Sequence, residues 1–250
     1  MNEKTGRLMA AGSFVWKGRL GPLDLILGED TFAPTTISTL VAEAMDVDEG
    51  EVVIDVGTGT GVLAIIAAKL GASRVLAIDS SPSVREVGRA NAEVHGVADK
   101  IEFLHGDLFD PLAEDVEADV IIGDVSGVPD SLAKVSGWFP SGIGGGPRGS
   151  ELPIRMLREA VRRLRPGGRV FLPTGSLQDE NAILEAARGI YGKVAKFAER
   201  MIPLPSVLAE SETLRSLMSD GIVHLVPKGS RLLWESRVWR LSGFASGDAT

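Results

Sequence analysis

The chain has 250 residues, 44% hydrophobic and 24% charged, with a net charge of −8 at neutral pH. That length suits one large α/β domain or two small ones, and the acidic balance argues against nonspecific attraction to nucleic acid or acidic membranes. With no cysteine in the chain, disulfides, thiolate metal sites and cysteine nucleophiles are excluded.

The N-terminal MNEKTGRLMAAGSF lacks the apolar core of a signal peptide. No stretch approaches the roughly 20 apolar residues that span a bilayer, so a cytoplasmic location is expected. Residues 13–29, SFVWKGRLGPLDLILGE, read as two extended runs around Gly21-Pro22, which predicts a hairpin. Residues 1–31 are therefore set apart as an N-terminal extension, and 32–250 as one domain. In ISTLVAEAM, Ile37, Leu40, Val41 and Ala44 share one helix face, with Thr35 or Thr36 able to cap it.

EVVIDVG then predicts a strand ending at Asp55, followed by a helix from Gly61 to Leu70 that Gly71 can terminate. SRVLAID is a second strand. Pro82 opens a helix with Val84, Val87, Ala90 and Val94 on one face. KIEFLHGD and ADVIIGD are the third and fourth strands. A helix over Glu151–Leu164 is expected to bury Ile154, Leu157, Val161 and Leu164 before Arg-Pro-Gly-Gly, and RVFLPTG is the fifth strand. Such alternation implies a doubly wound parallel sheet covered on both faces. KVAKFAERMIPL and LLWESRVWRL read as an antiparallel pair closing the sheet, with an insertion of helical spacing at about 203–232. The terminal GDAT is expected to fray.

Ligands of open α/β sheets bind outside the carboxyl ends of the strands, and Asp55-Val-Gly-Thr-Gly-Thr-Gly61 occupies the first such end. Gly57, Gly59 and Gly61, with Thr58 between them, allow a tight turn and a close approach of backbone to ligand. A dinucleotide pattern starting at Gly57 needs glycine at 62, and the chain has Val62. Asp55 would repel a pyrophosphate but suits a cation such as the ammonium of S-adenosylmethionine (SAM). Asp79 ends the second strand, where a carboxylate accepts both hydroxyls of a ribose. In Gly106-Asp107-Leu108-Phe109, Asp107 can accept from the exocyclic amine of adenine and Leu108 N–H can contact the ring, with Ser80 beside the base. These features favour SAM as cofactor over a nicotinamide cofactor, and no metal site is expected.

The segments D-V-G-T-G-T-G, A-I-D-S-S-P, G-D-L-F and L-R-P-G-G-R-V together resemble the class I SAM-dependent methyltransferase family over about residues 32–175. The resemblance implies a Rossmann-like sheet of seven strands, mostly parallel, with residues near 192–202 and 234–241 as the last antiparallel pair. Within that family the chain is similar to the branch that methylates glutamine in release factors, together with adenine-amino methyltransferases. Phe32-Ala-Pro-Thr-Thr matches a segment of that branch that touches SAM, which implies roles for Phe32, Pro34 and Thr35. Gly144-Gly-Gly-Pro-Arg-Gly149 matches its glycine-rich segment.

The departure lies after the fourth strand. The branch has Asn-Pro-Pro-Tyr there, and this chain has Asp124-Val-Ser-Gly-Val-Pro129. An ionised aspartate only accepts hydrogen bonds, whereas asparagine also donates. Asp124 is thus the candidate that contacts the cofactor end and holds the methyl acceptor, or takes its proton. Ser126 reads as a turn former, His95 and His105 as satisfied structural residues, and His224 has no assigned partner. Trp138-Phe139 reads as a lid anchor or a hydrophobic plug, and Arg155, Arg158, Arg162 and Arg163 as a solvated helix face. The expected activity is methyl transfer to a nitrogen or oxygen of a protein or small molecule, with nucleic acid and membranes not expected as partners. A noncatalytic SAM- or partner-binding module of the same fold is the alternative.

Overall fold

The computed structural model of the chain describes residues 10–138 and 143–245. β1 (Ala10–Trp16) and β2 (Leu23–Gly28) pair antiparallel as the hairpin that the two extended runs predict. Trp16, Leu23 and Leu25 are buried, so the hairpin packs into the core of the domain. The next elements are α1 (Thr36–Ala44), β3 (Val52–Val56), α2 (Val62–Leu70), β4 (Arg74–Asp79), α3 (Val84–Val94), β5 (Ile101–His105), β6 (Ala118–Gly123) and α4 (Asp130–Ser136). They are followed by α5 (Glu151–Ala160), β7 (Leu164–Gly175), α6 (Glu180–Ile190), β8 (Lys193–Pro203), α7 (Ser206–Ala209), α8 (Glu212–Ser219), β9 (Val226–Lys228) and β10 (Arg231–Ser242).

The main sheet runs β5-β4-β3-β6-β7-β10-β8, with β9 pairing on β10. The first five strands of that path are parallel, and β10 is antiparallel to both β7 and β8. The expected seven strands are present, and the three-residue β9 from the insertion adds an eighth. Strand order reverses at β3, between β4 and β6, which fixes where a ligand cleft opens.

Alternate residues of the central strands feed two cores, as a sheet covered on both faces requires. Val53, Val75, Ala77 and Val120 face the layer of α1, α2, α3 and the hairpin. Ile54, Val56, Leu76 and Ile78 face α5 and α6 through Met156, Leu157, Ile183 and Ala187. A third cluster, Leu132, Leu177, Leu204, Leu208, Leu214, Leu217 and Trp234, joins α4, α7 and α8 into a cap at one end of the sheet.

Three local readings change. The helix expected over Glu151–Leu164 stops at Ala160, gives way to a single 3₁₀ turn at Val161–Arg163, and Leu164 already belongs to β7. Met156 and Ala160 are buried in it alongside Leu157, while Ile154 and Val161 are only partly covered. On α3, Val94 is exposed, and the inner face is completed by Gly88, Asn91 and Ala92. Asn91 holds the hairpin there: it accepts from Ile26 N at 2.7 Å and donates to Ile26 O at 3.0 Å and Thr60 O at 2.9 Å. Phe139 and the terminal GDAT fall outside the described residues. Among the described residues no helix is long and apolar enough to cross a membrane.

Candidate functional site

A cavity of about 1010 Å³ opens where the strand order reverses. Its floor is the turn between β3 and α2, pinned to β4 by Gly57 N and Thr58 N, which donate to Ile78 O at 2.9 and 3.0 Å. Gly57, Gly59 and Gly61 have φ of +79°, +53° and +84°, a region that L side chains enter only with strain. Every candidate site residue except Asp55 and Gly61 lines this cavity.

Those two exceptions lie behind the glycine turn. Asp55 is fully enclosed beneath it and accepts from Thr58 Oγ1 at 2.6 Å, leaving Oδ1 without a hydrogen-bond partner. Asp55 lies outside the cavity lining, under the turn that forms the floor. Burial, reinforced by the charges of Asp124 and Asp79, pushes its carboxyl up to about 7. A Cβ at Gly61 would lie 2.8 Å from the Phe103 ring, so glycine is required there by packing against β5. A Cβ at Gly59 would meet Phe32 O at 3.0 Å, which places the Phe32 backbone over the turn.

Asp79, at the end of β4, accepts from Gly59 N at 2.8 Å and Ser81 N at 2.9 Å, locking the turn to the strand end. Spare lone pairs on both oxygens remain for a ligand. Asp107 sits across the cleft in a bidentate pair with Arg155 at 2.8 and 2.6 Å. Arg155 lies on the solvated helix face expected of it and from there pairs with Asp107. Leu108 beside it has φ +46°. Phe32, Pro34 and Thr35 lie on the strap leading into α1, whose N-terminus Thr35 caps by accepting from Ile37 N at 3.1 Å. Upstream, Asp30 accepts from Ser83 Oγ and Thr31 Oγ1 bonds the same hydroxyl at 3.1 Å, tying the strap to the start of α3.

Asp124 stands just past the end of β6 and accepts from Ser38 Oγ at 3.0 Å. Burial pushes its carboxyl up to about 6. Beyond Asp124 the cavity continues between the loop Val125–Val128, the turn at Leu177-Gln178, Trp138, Trp234 and the end of β8 at Ile202-Pro203. Ser126, read as a turn former, lines this half with a buried hydroxyl that has no partner. His95 and His105 bond the carbonyls of Asp24 and Ser80, consistent with structural roles, and His224 is exposed.

The sequence reading missed Glu29, Asp30, Ser38, Gln178 and Trp234 in this cavity. Ser38 and Asp124 are 86 positions apart, and no local pattern announces such a pair. Among the described residues, the lining carries the acids Glu29, Asp30, Asp79, Asp107 and Asp124 and no Lys, Arg or His. That charge distribution, over a glycine-built floor, fits a cationic nucleoside such as SAM and opposes a pyrophosphate.

Residues 31–127 match the family model described as ribosomal protein L11 methyltransferase (PrmA). The ribosomal protein L11 methyltransferase of Desulforamulus reducens is 46% identical over 94 residues, which are 37% of this chain and 29% of that protein. A release factor glutamine methyltransferase of Rhodopirellula baltica is 33% identical over 147 residues, 53% of this chain and 50% of that protein. The chain spans less than half the length of the L11 methyltransferases it matches. In fold it is similar to the T. thermophilus 16S rRNA N2 G1207 methyltransferase solved with AdoMet and guanosine. The TM-score is 0.60 at 17% identity, covering 93% of this chain and 50% of that one. Over residues 31–127 the chain is thus similar to ribosomal protein L11 methyltransferases, and that likeness supports SAM as the cofactor.

Proposed function

We propose that the chain methylates a nitrogen or oxygen of a protein, with Asp124 orienting the acceptor and accepting its proton. The observation that carries this reading is the position of Asp124. It is a mostly enclosed carboxylate in the cavity wall, between the glycine-built half and the half walled by Trp138 and Trp234. The names of the L11 and release-factor relatives support a protein acceptor, and a cytoplasmic location fits that reading. The acids lining the cavity add support to a protein acceptor over a nucleic acid in this reading.

SAM supplies a methyl group on a sulfonium, already activated for displacement. The protein's work is to align the acceptor, keep water out and take one proton. Asp79 receives the ribose hydroxyls, Asp107 and Leu108 N–H meet the adenine, and Ser80 flanks it. The Phe32–Thr35 strap covers the cofactor from the α1 side, above Gly57, Thr58 and Gly59. Asp55 acts from below, holding Thr58 and contributing negative charge. Asp124 would orient the acceptor toward the methyl group that SAM would supply and would take the proton that the acceptor loses.

Asp124 occupies the place of the asparagine of the glutamine- and adenine-methylating branch, so the closer kinship with that branch is part of the proposal. The test is transfer of a labelled methyl from SAM into a cell extract, with the labelled product identified. Label in a protein of wild-type reactions that is absent with Asp124→Ala supports the reading. Tight SAM binding without transfer to any component favours the noncatalytic module instead.

A further inference from the structure

Gln178 lines the acceptor half of the cavity, is only 7% exposed, and its Nε2 is buried with no hydrogen-bond partner. Such a group is costly to leave unpaired, and folded chains rarely keep one without a use. Its amide lies against Gly127: a Cβ there would be 2.3 Å from Oε1 and 3.2 Å from Nε2. Gly127 is three residues from Asp124, within about 11 Å of it even at full extension.

The frame around Gln178 is rigid. Gly144, Gly145 and Gly149 pack so closely on the Val125–Pro129 loop that a Cβ on any of them would sit 2.3–2.4 Å from the carbonyls of Val128, Ser126 and Gly127. Gly145 N donates to Val128 O at 2.7 Å. Next to Gln178, Asp179 N donates to Arg148 O at 3.1 Å, and its carboxylate pairs with Arg148 Nε at 2.7 Å. The glycine run thus clamps the loop after β6 and the turn after β7 together, and Gln178 is fixed on one wall with the unpartnered Ser126 hydroxyl nearby.

We propose that Gln178, assisted by Ser126, is the positioning residue that selects the acceptor, donating to an oxygen bonded next to the reacting atom. This rests on the methyltransferase reading above. Ionised, Asp124 can only accept, so a substrate held by both must present a donor and an acceptor side by side. A nitrogen conjugated to a carbonyl does so. A free amine does not, because its one lone pair is committed to the methyl carbon and leaves Nε2 unpaired.

The test uses the full chain saturated with S-adenosylhomocysteine, with benzamide and benzylamine as probes in ligand-detected saturation-transfer NMR. Benzamide is expected to bind the wild type better than benzylamine, and its signal is expected to fall at least fivefold in Gln178→Met and Gln178→Glu. Calorimetric SAM affinity is expected to stay within twofold, and Gln178→Met to melt no lower than the wild type because an unpaired buried amide is gone. Equal benzamide binding in wild type and Gln178→Glu, a preference for benzylamine, or no benzamide binding to the wild type overturns the inference. A Gln178→Met melting point several degrees lower also overturns it, assigning Gln178 to structure. A wild-type chain that binds no SAM overturns the methyltransferase reading itself.

Discussion

The backbone carbonyl of Asp124 fills the place where a side chain at residue 57 would begin: a Cβ on Gly57 would lie 2.5 Å from that oxygen. The glycine turn after β3 and the loop after β6 are therefore in direct backbone contact, and glycine at 57 is what lets them meet. Gly57→Ala adds this clash to the strain of φ +79°. The expected loss is about 3 kcal/mol, a fall in melting temperature of about 6–12 °C for a domain of this size. SAM affinity should fall with it. Melting and calorimetric titration of the variant check both effects, and unchanged values would mean the two loops move apart freely.

Asp79 holds the glycine turn, since Gly59 N and Ser81 N both donate to it, beside the ribose role proposed for it. Asp79→Ala removes two charge-assisted backbone bonds and two proposed bonds to the ribose. Affinity for SAM is expected to weaken by about 2–4 kcal/mol, roughly 30- to 1000-fold. Asp79→Asn keeps the size and loses part of the acceptor capacity, so it should fall between. Calorimetric titration of the three proteins checks the order, and wild-type affinity in Asp79→Ala removes the ribose assignment.

Much of the fold was legible because its signals are local. Val52–Val56, Arg74–Asp79 and Ala118–Gly123 are apolar runs with Asp55, Asp79 and Gly123 at or next to their cleft ends, and their order along the chain already implied the parallel sheet. α6 had a local signal that the reading passed over: Asp179 caps it, accepting from Ala182 N, and Ile183, Leu184 and Ala187 form its buried stripe. α4 had none, being seven residues long after Pro129. The roles of single residues were hidden where the partner is distant in sequence. Gly61 answers to Phe103, Asp107 to Arg155 and Asp124 to Ser38, and only the folded chain brings these pairs together.

Arg169, in the L-R-P-G-G-R-V segment, anchors the opposite end of the sheet. It is 6% exposed and donates to Glu51 at 2.7 and 2.8 Å, to Asp46 O at 3.0 Å, and to the Asp46 carboxylate. Arg169→Met leaves Glu51, itself mostly covered, without its partner. Removing one member of such a buried pair is expected to cost about 3–5 kcal/mol, while SAM affinity measured below the melting transition stays near wild type. Denaturant unfolding and titration together separate this stability role from the cleft.

In the proposed mechanism, one proton on Asp124 joins stability and activity. Burial raises its carboxyl from the ordinary 3.8 to about 6, so between those values the folded chain keeps a proton that the unfolded chain has lost. Stability therefore falls as pH rises through that window, and the penalty persists above it. Below about pH 4 both states hold the proton and the penalty vanishes. Asp124→Asn, which cannot ionise, should gain about 1–2 kcal/mol over wild type at pH 8, water in the cavity moderating the full shift, and nothing at pH 3.5. Urea unfolding at the two pH values checks this difference. Activity should move the opposite way, because the ionised form takes the acceptor's proton: wild-type transfer is expected to rise with pH through about 6. On an acceptor identified by labelling, Asp124→Ala should lose 10²-fold or more in turnover with SAM affinity within about threefold. If Asp124 takes the proton, Asp124→Asn is nearly as poor. If it only holds an N–H, asparagine keeps substantial activity and the pH dependence disappears. A variant that is more stable than wild type at pH 8 and yet inactive would identify Asp124 as a charge kept in the wall for its chemistry.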